Sequence, residues 1–145
     1  MAMSQESVRD SVFLQHSATT FDASLLETFA PLSNGASVDF FMQTPDKIPD
    51  YLRLRRVSHA FFTTKLFELL VEHFNCNLTR IFYGGEAMMI ARALEFHRLY
   101  ASKGITLIHA YGPTENGVFS TTLNLTEKLA RGSSGDYLNN NIGTV

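Results

Sequence analysis

Hydrophobic positions along the chain fall into short apolar runs that alternate with stretches of helical spacing. Val12 to His16 is a brief, strand-like run. Between Ser24 and Leu32, Leu25, Leu26, Phe29 and Leu32 recur at the three- and four-residue intervals of a helix. Ser24 and Glu27 have the spacing of a capping box at its start, and Asn34-Gly35 supplies a stop. Val38 to Met42 predicts a second strand. Thr44-Pro45-Asp46 opens a helix that runs to about Arg56, because proline is tolerated in a first turn, and Pro49 can shift its start by one turn. Val57 to Thr63 predicts a third strand. Lys65 to Phe74 reads as a helix with Leu66, Leu69, Leu70 and Phe74 on one stripe. Leu78 to Tyr83 is a fourth strand ending at Gly84-Gly85, and Met88 to Ala101 a helix with Ile90, Ala93, Leu94 and Phe96 inward. Ile105 to Ala110 and the alternating Val118 to Leu125 complete six strands.

Strands that alternate with helices predict an α/β fold, a mostly parallel sheet flanked by helices. The near-continuous apolar runs suit strands covered on both faces. From about Thr126 to Asn141 the chain turns polar, with Arg131-Gly132-Ser133-Ser134-Gly135-Asp136 and an asparagine triplet, the composition of a flexible loop. There is no internal repeat and no heptad run.

The 145 residues suffice for one core without disulfides or metals. With 45% hydrophobic and 18% charged residues, the composition is that of a globular domain. A formal net charge of −2 points away from nucleic acid and from anionic membranes as partners. One cysteine, Cys76, excludes an internal disulfide framework, which makes a reducing, cytoplasmic setting the expectation. No apolar run approaches the length of a membrane span. The opening Met1-Ala2-Met3-Ser4-Gln5-Glu6-Ser7 lacks an apolar signal-peptide core, so residues 1–10 read as a leader or cloning remnant ahead of a unit at 11–145.

In open parallel sheets, ligands bind beyond the carboxyl ends of the strands. Three loops with unusual residues fall there: Thr20 to Ser24, Tyr83 to Ala87, and His109 to Glu115. Each also has a plain structural reading. Asp22 can cap the helix that follows it. Gly84-Gly85 can be a tight strand-to-helix turn, or a place where a ligand approaches the backbone. Tyr111-Gly112-Pro113-Thr114-Glu115 can be an ordinary Gly-Pro turn. It also offers a ring to stack on a base, a hydroxyl for a phosphate and a hard carboxylate for Mg2+ within five positions. His73 and Cys76 have a metal-like gap, but two ligands do not make a site. His16, His59 and His97 have no evident partner, and Gly132-Ser133-Ser134-Gly135 lacks the lysine of a phosphate loop.

Taken together, Phe21-Asp22-Ala23-Ser24, Gly84-Gly85-Glu86-Ala87 and Ala110-Tyr111-Gly112-Pro113-Thr114-Glu115 resemble three signatures of the adenylation domains of nonribosomal peptide synthetases, in that family's order and at about its spacing. Asn34-Gly35-Ala36 and the terminal Asn141-Ile142-Gly143-Thr144-Val145 are similar to further family segments. The resemblance implies a subdomain of an enzyme that joins an amino acid to ATP, with Mg2+, as an aminoacyl-adenylate and passes it to a carrier-protein thiol. It implies that Asp22 holds the α-ammonium, that Tyr111 stacks on adenine, that the backbone at Gly84, Gly85 and Glu86 lines the adenine site, that Thr114 contacts phosphate and that Glu115 binds Mg2+. It further places Ala23, Leu26, Phe61, Phe82, Gly84, Ala110, Val118 and Phe119 around the substrate side chain. All eight are apolar or small, so a polar side chain would be buried unsatisfied. The expectation is a hydrophobic amino acid, aliphatic rather than aromatic because three phenylalanines narrow the space.

His109 departs from the asparagine usual in the family, which puts an adenine contact in question. The family's phosphate loop, ribose-binding aspartate and lid with its catalytic lysine have no counterpart in these residues. A subdomain truncated at both ends, without adenylation activity alone and binding no cofactor alone, is therefore expected. Its partners would be the amino acid, the remainder of the adenylation domain and a carrier protein, with self-association through exposed surface. The competing reading is a free-standing α/β binding or scaffold module. An aryl or fatty acid substrate is disfavoured, because Asp22 would repel a carboxylate and gain nothing from the absent amine.

Overall fold

The computed structural model describes residues 8–74 and 77–132. Its six strands are β1 (Val12–Gln15), β2 (Ser37–Phe40), β3 (His59–Thr63), β4 (Arg80–Gly84), β5 (Thr106–Tyr111) and β6 (Thr121–Asn124). They form one sheet in the order β2-β1-β3-β4-β5-β6. All neighbours are parallel except β5 and β6, which run antiparallel. The α/β class and the mostly parallel sheet are as the sequence predicts.

Four α-helices connect successive strands, α1 (Ala23–Ser33), α2 (Ile48–Leu54), α3 (Thr64–Leu70) and α4 (Ile90–Tyr100), and α5 (Leu125–Ala130) follows β6. Pro49 lies in the first turn of α2, and a 3-10 turn at Pro45–Lys47 precedes it, so the helix predicted from Thr44 starts later. A 3-10 turn at Val71–His73 ends the helix predicted to reach Phe74. The stretch assigned to loop from Thr126 onward begins with α5. Asn124 caps α5 by accepting a hydrogen bond from Glu127 N at 3.1 Å. At six residues that helix is too short to show a period. Cys76, Ser133 to Gly135 and the family-like segment Asn141 to Val145 lie outside the described residues.

Right-handed crossovers between parallel strands put α1 on one face of the sheet and α2, α3 and α4 on the other. The main core lies on the second face. There Ala60, Phe62, Ile81, Tyr83 and Leu107 of the strands meet Ile48, Leu52, Phe67, Ala93 and Phe96 of the helices. Phe62 stacks on Phe74 with ring centres 5.5 Å apart, and Phe67 lies 5.6 Å from Phe96. Burying a ring of this kind stabilises by roughly 1.5–3 kcal/mol. The Tyr100 hydroxyl accepts from the Phe74 amide at 3.0 Å, so a backbone donor at the end of the helical segment is satisfied inside this apolar layer.

Each of two predicted stripes has one member that faces out. Leu69 is 69% exposed and Leu94 is 51% exposed, while Leu70, Phe74, Ala93 and Phe96 are buried as expected and Phe67 joins them. On α1, Leu25 and Phe29 are 50% and 65% exposed, and the buried positions are Ala23, Ser24, Glu27 and Pro31. Together with Phe21, Leu32, Phe40 and Met42, they leave apolar surface on the α1 side and along the β2 edge.

His59 is buried at the start of β3, stacked on Phe13 at 4.5 Å and hydrogen-bonded through Nδ1 to Ser58 Oγ at 2.9 Å. Burial first, and the Arg80 guanidinium second, push its pKa from the ordinary 6.5 to about 4. Burial also lowers that of His109. Between about 4 and 6.5 the unfolded chain therefore binds a proton at His59 that the folded chain rejects. Stability present above 6.5 is lost as pH falls toward 4. The denaturation midpoint in urea is expected to drop between about pH 7 and about pH 4.5, and less steeply in a His59→Gln variant.

Candidate functional site

The sheet order β2-β1-β3-β4-β5 reverses between β1 and β3. At such a switch point the loops leaving the strands diverge and open a crevice. Here the crevice lies on the α1 face, beyond the carboxyl ends of β1, β3, β4 and β5.

Register sets its floor. Phe61, Phe82 and Ile108 form one cross-strand row, and Thr63, Gly84 and Ala110 the next. Alternation places these side chains on the face opposite the main core. Phe61 and Ala110 are buried and Phe82 half-buried. The loop between β5 and β6 folds over this floor. Its Phe119 ring lies 5.3 Å from that of Phe61. The Ser120 amide closes the loop on Tyr111 O at 2.8 Å. Gly112 allows the return, because a Cβ there would sit 2.6 Å from Phe119 Cα and 2.9 Å from Val118 O. Gly84 is equally constrained: a Cβ would lie 2.2 Å from Ala110 O, a backbone atom, and 3.4 Å from the Phe119 ring. Gly85 has φ +96 and nothing within 4 Å of an added Cβ, so its backbone is open to an approaching group. The Thr64 hydroxyl holds this turn by donating to Glu86 O at 2.8 Å.

The wall formed by α1 depends on a group that the sequence reads only as part of a capping box. Glu27 is 1% exposed. Its carboxylate accepts from His16 N at 3.1 Å, Ser17 N at 2.9 Å and Ser17 Oγ at 2.7 Å. His16 Nε2 donates to Phe61 O at 2.8 Å and lies 3.4 Å from Glu27 Oε1. One buried carboxylate thus fastens α1 to the exit of β1 and, through His16, to the floor at Phe61. Glu27 is therefore not the second half of a capping box, and no local pattern separates the two roles.

Asp22 occupies the N-cap position of α1, but its side chain makes no cap bond. Instead Oδ2 accepts from Thr114 Oγ1 at 2.7 Å, a contact between residues 92 apart in sequence. The plain capping reading of Asp22 is thereby excluded. Ala23 is buried and Leu26 half-buried in the first turns of the same helix, and Val118 is half-buried in the covering loop. Tyr111, Thr114 and Glu115 are exposed at the mouth. Glu86 is also exposed, 3.6 Å from Lys65 Nζ. His109 turns the other way, its ring tilted against that of Tyr83 on the helix-covered face with centres 4.9 Å apart. The open backbone at Gly85 and the exposed Tyr111 ring suit a nucleotide base. Glu115 is a single carboxylate, and the described residues contain no group of three or more metal-binding side chains. A hard cation there would have to be shared with phosphate oxygens.

Replacing Glu27 by Gln substitutes an amide donor where three donors converge. It is expected to cost about 1–3 kcal/mol in chemical denaturation. Gly84→Ala is expected to cost about 1–3 kcal/mol by overpacking, because the atom it meets is backbone and cannot move aside.

Comparison with known proteins bears on this arrangement. The family model described as AMP-binding enzyme matches residues 1–142. The L-allo-isoleucine:holo-[CmaA peptidyl-carrier protein] ligase of Pseudomonas savastanoi pv. glycinea is 38% identical over 120 residues, covering 78% of this chain and 20% of the relative. Bacitracin synthase 3 of Bacillus licheniformis is 33% identical over 120 residues, covering 77% of this chain and 2% of the relative. Among solved structures, holo-PA1221, a nonribosomal peptide synthetase protein containing adenylation and carrier domains, superposes with a TM-score of 0.73. It is 23% identical, over 90% of this chain and 22% of its own, which speaks to the fold. The chain thus spans about a fifth or less of the relatives named here. With the family matched along nearly its whole length, the chain belongs to the AMP-binding enzymes and corresponds to part of a nonribosomal peptide synthetase adenylation domain.

Proposed function

We propose that this chain is the substrate-selecting part of an adenylation domain, and that it holds a hydrophobic, aliphatic amino acid for ATP-dependent aminoacyl-AMP formation. The observation that carries the reading is the Asp22–Thr114 hydrogen bond. It brings a carboxylate from the first motif and a hydroxyl from the third to one point above an apolar floor. An ammonium group is the stronger partner for that carboxylate, since both members of the pair are then ionised. An amino acid anchored there would project its side chain toward Phe61, Phe82 and Phe119, with Ala23, Leu26, Gly84, Ala110 and Val118 completing the walls. None of these side chains can hydrogen-bond a polar substituent. The named substrate of one relative, L-allo-isoleucine, is a branched aliphatic amino acid and fits the same choice.

In the complete enzyme, Thr114 released from Asp22 would be free to meet phosphate. Tyr111 would stack on adenine beside the backbone of Gly84, Gly85 and Glu86, and Glu115 would hold Mg2+. ATP supplies the activated phosphorus. The work of these residues is to orient the amino acid's carboxylate toward it and to exclude water from the apolar floor. The carrier protein would then take the acyl group.

Titration calorimetry of the chain with leucine, valine, isoleucine and phenylalanine tests the reading. Binding of an aliphatic amino acid in preference to phenylalanine, weakened at least tenfold by Asp22→Ala, is the expected outcome. Preference for phenylalanine, or indifference to Asp22→Ala, would overturn it. Pyrophosphate exchange by a complete adenylation domain carrying this segment asks the same question of the reaction.

A further inference from the structure

A cavity of about 440 Å3 lies at the other end of the sheet, where the strands begin. Asp10 and Ser11 enter it ahead of β1, Ser58 and His59 at β3, Thr79 and Arg80 at β4, and Thr106 at β5. By register His59, Arg80 and Thr106 form one cross-strand row on the same face as Phe61, Phe82 and Ile108. Arg80 is four residues from Gly84, which at the rise of a strand is about 13 Å. This cavity is therefore separate from the crevice described above.

Arg80 is the unusual group in it. Its Nη1 is shut off from solvent and has no hydrogen-bond partner, and Arg80 forms no ion pair among the described residues. Burial holds its pKa below the usual guanidinium range. Arg80 as a whole is only half-buried, but a guanidinium partly removed from water without an acidic partner is costly, and the natural remedy is an oxyanion that accepts from the part of it facing the cavity. The charge count limits which one. His59 is neutral near pH 7, because burial and Arg80 itself push its pKa to about 4. Asp10 contributes a negative charge at the rim. One cation facing one rim carboxylate favours a singly charged ligand over a phosphate dianion. The hydroxyls of Ser58, Thr79 and Thr106 offer further polar surface.

We propose that the Arg80 cavity is a binding site for a single carboxylate. The carboxylate comes either from a small organic acid or from an acidic side chain of the polypeptide that surrounds this segment in a complete adenylation domain.

The test is thermal unfolding of the 145-residue chain in acetate against chloride at equal ionic strength, with inorganic phosphate as a third arm. The wild type is expected to gain about 2–5 °C in acetate, saturating with concentration, and less in phosphate. Arg80→Met should unfold at the same or a higher temperature than wild type in chloride, because it removes an unpaired, half-buried charge, and should lose the response to acetate. Asp22→Ala should retain that response, which keeps this site distinct from the amino-acid crevice. No acetate response in the wild type, or an acetate response that survives in Arg80→Met, would overturn the proposal. Arg80→Met that unfolds well below wild type in chloride would do the same, because the guanidinium would then be paired already. A complete domain carrying the segment separates the two sources. An acetate effect that persists there indicates a free acid, and one that disappears there indicates a side chain already in place.

Discussion

A carboxylate with almost no exposure to solvent governs the shape of the ligand-facing edge. Glu27 is stable in its buried position because three donors from the exit of β1 converge on it. A buried charge with fewer partners would be costly enough to unfold this part of the molecule. That requirement fixes the rotation of α1. With Glu27 inward, Ala23, Ser24 and Pro31 follow it, and Leu25 and Phe29 turn outward. The same rotation presents Asp22 to the mouth of the crevice, where Thr114 reaches it. Polar satisfaction, not apolar burial, decides how this helix sits.

The two edges of the sheet carry opposite chemistry. At the carboxyl edge, the reversal in strand order opens a crevice with an apolar floor and a carboxylate at its lip. At the amino edge, the register row His59–Arg80–Thr106 places a guanidinium in a polar cavity. Between them, Phe61 and Phe82 on one face and Phe62 and Tyr83 on the other make β3 and β4 the apolar centre. The floor and the main core thus share strands, so the pocket is built on the most rigid part of the fold rather than on its loops.

The glycines are placed where backbone meets backbone. Gly84 and Gly112 are excluded from carrying a side chain by Ala110 O and by the returning chain at Phe119. Their value lies in close approach and not in flexibility. Leu25, Phe29, Leu32, Phe40 and Met42 leave exposed apolar side chains on α1 and along β2. A chain that spans about a fifth or less of its relatives has much neighbouring polypeptide in them to cover such a face.

Much of this was legible in the sequence. Strand–helix alternation determined the α/β class, because covered parallel strands must be apolar throughout and their helices amphipathic. Three short motifs in order pointed to the family and to Asp22, Tyr111 and Thr114 before any fold was known. The sequence could not decide which side of a helix faces in when apolar residues occupy several of its sides, as Leu69 and Leu94 show. Nor could it find α5, too short to display a period. Glu27 reads as a local cap, and nothing in the sequence singles out Arg80 within the strand from Leu78 to Tyr83. Both acquired their roles from burial and from groups distant in sequence. Local pattern fixes what a segment can form, whereas the partner of a buried charge is chosen only when the strands come into register.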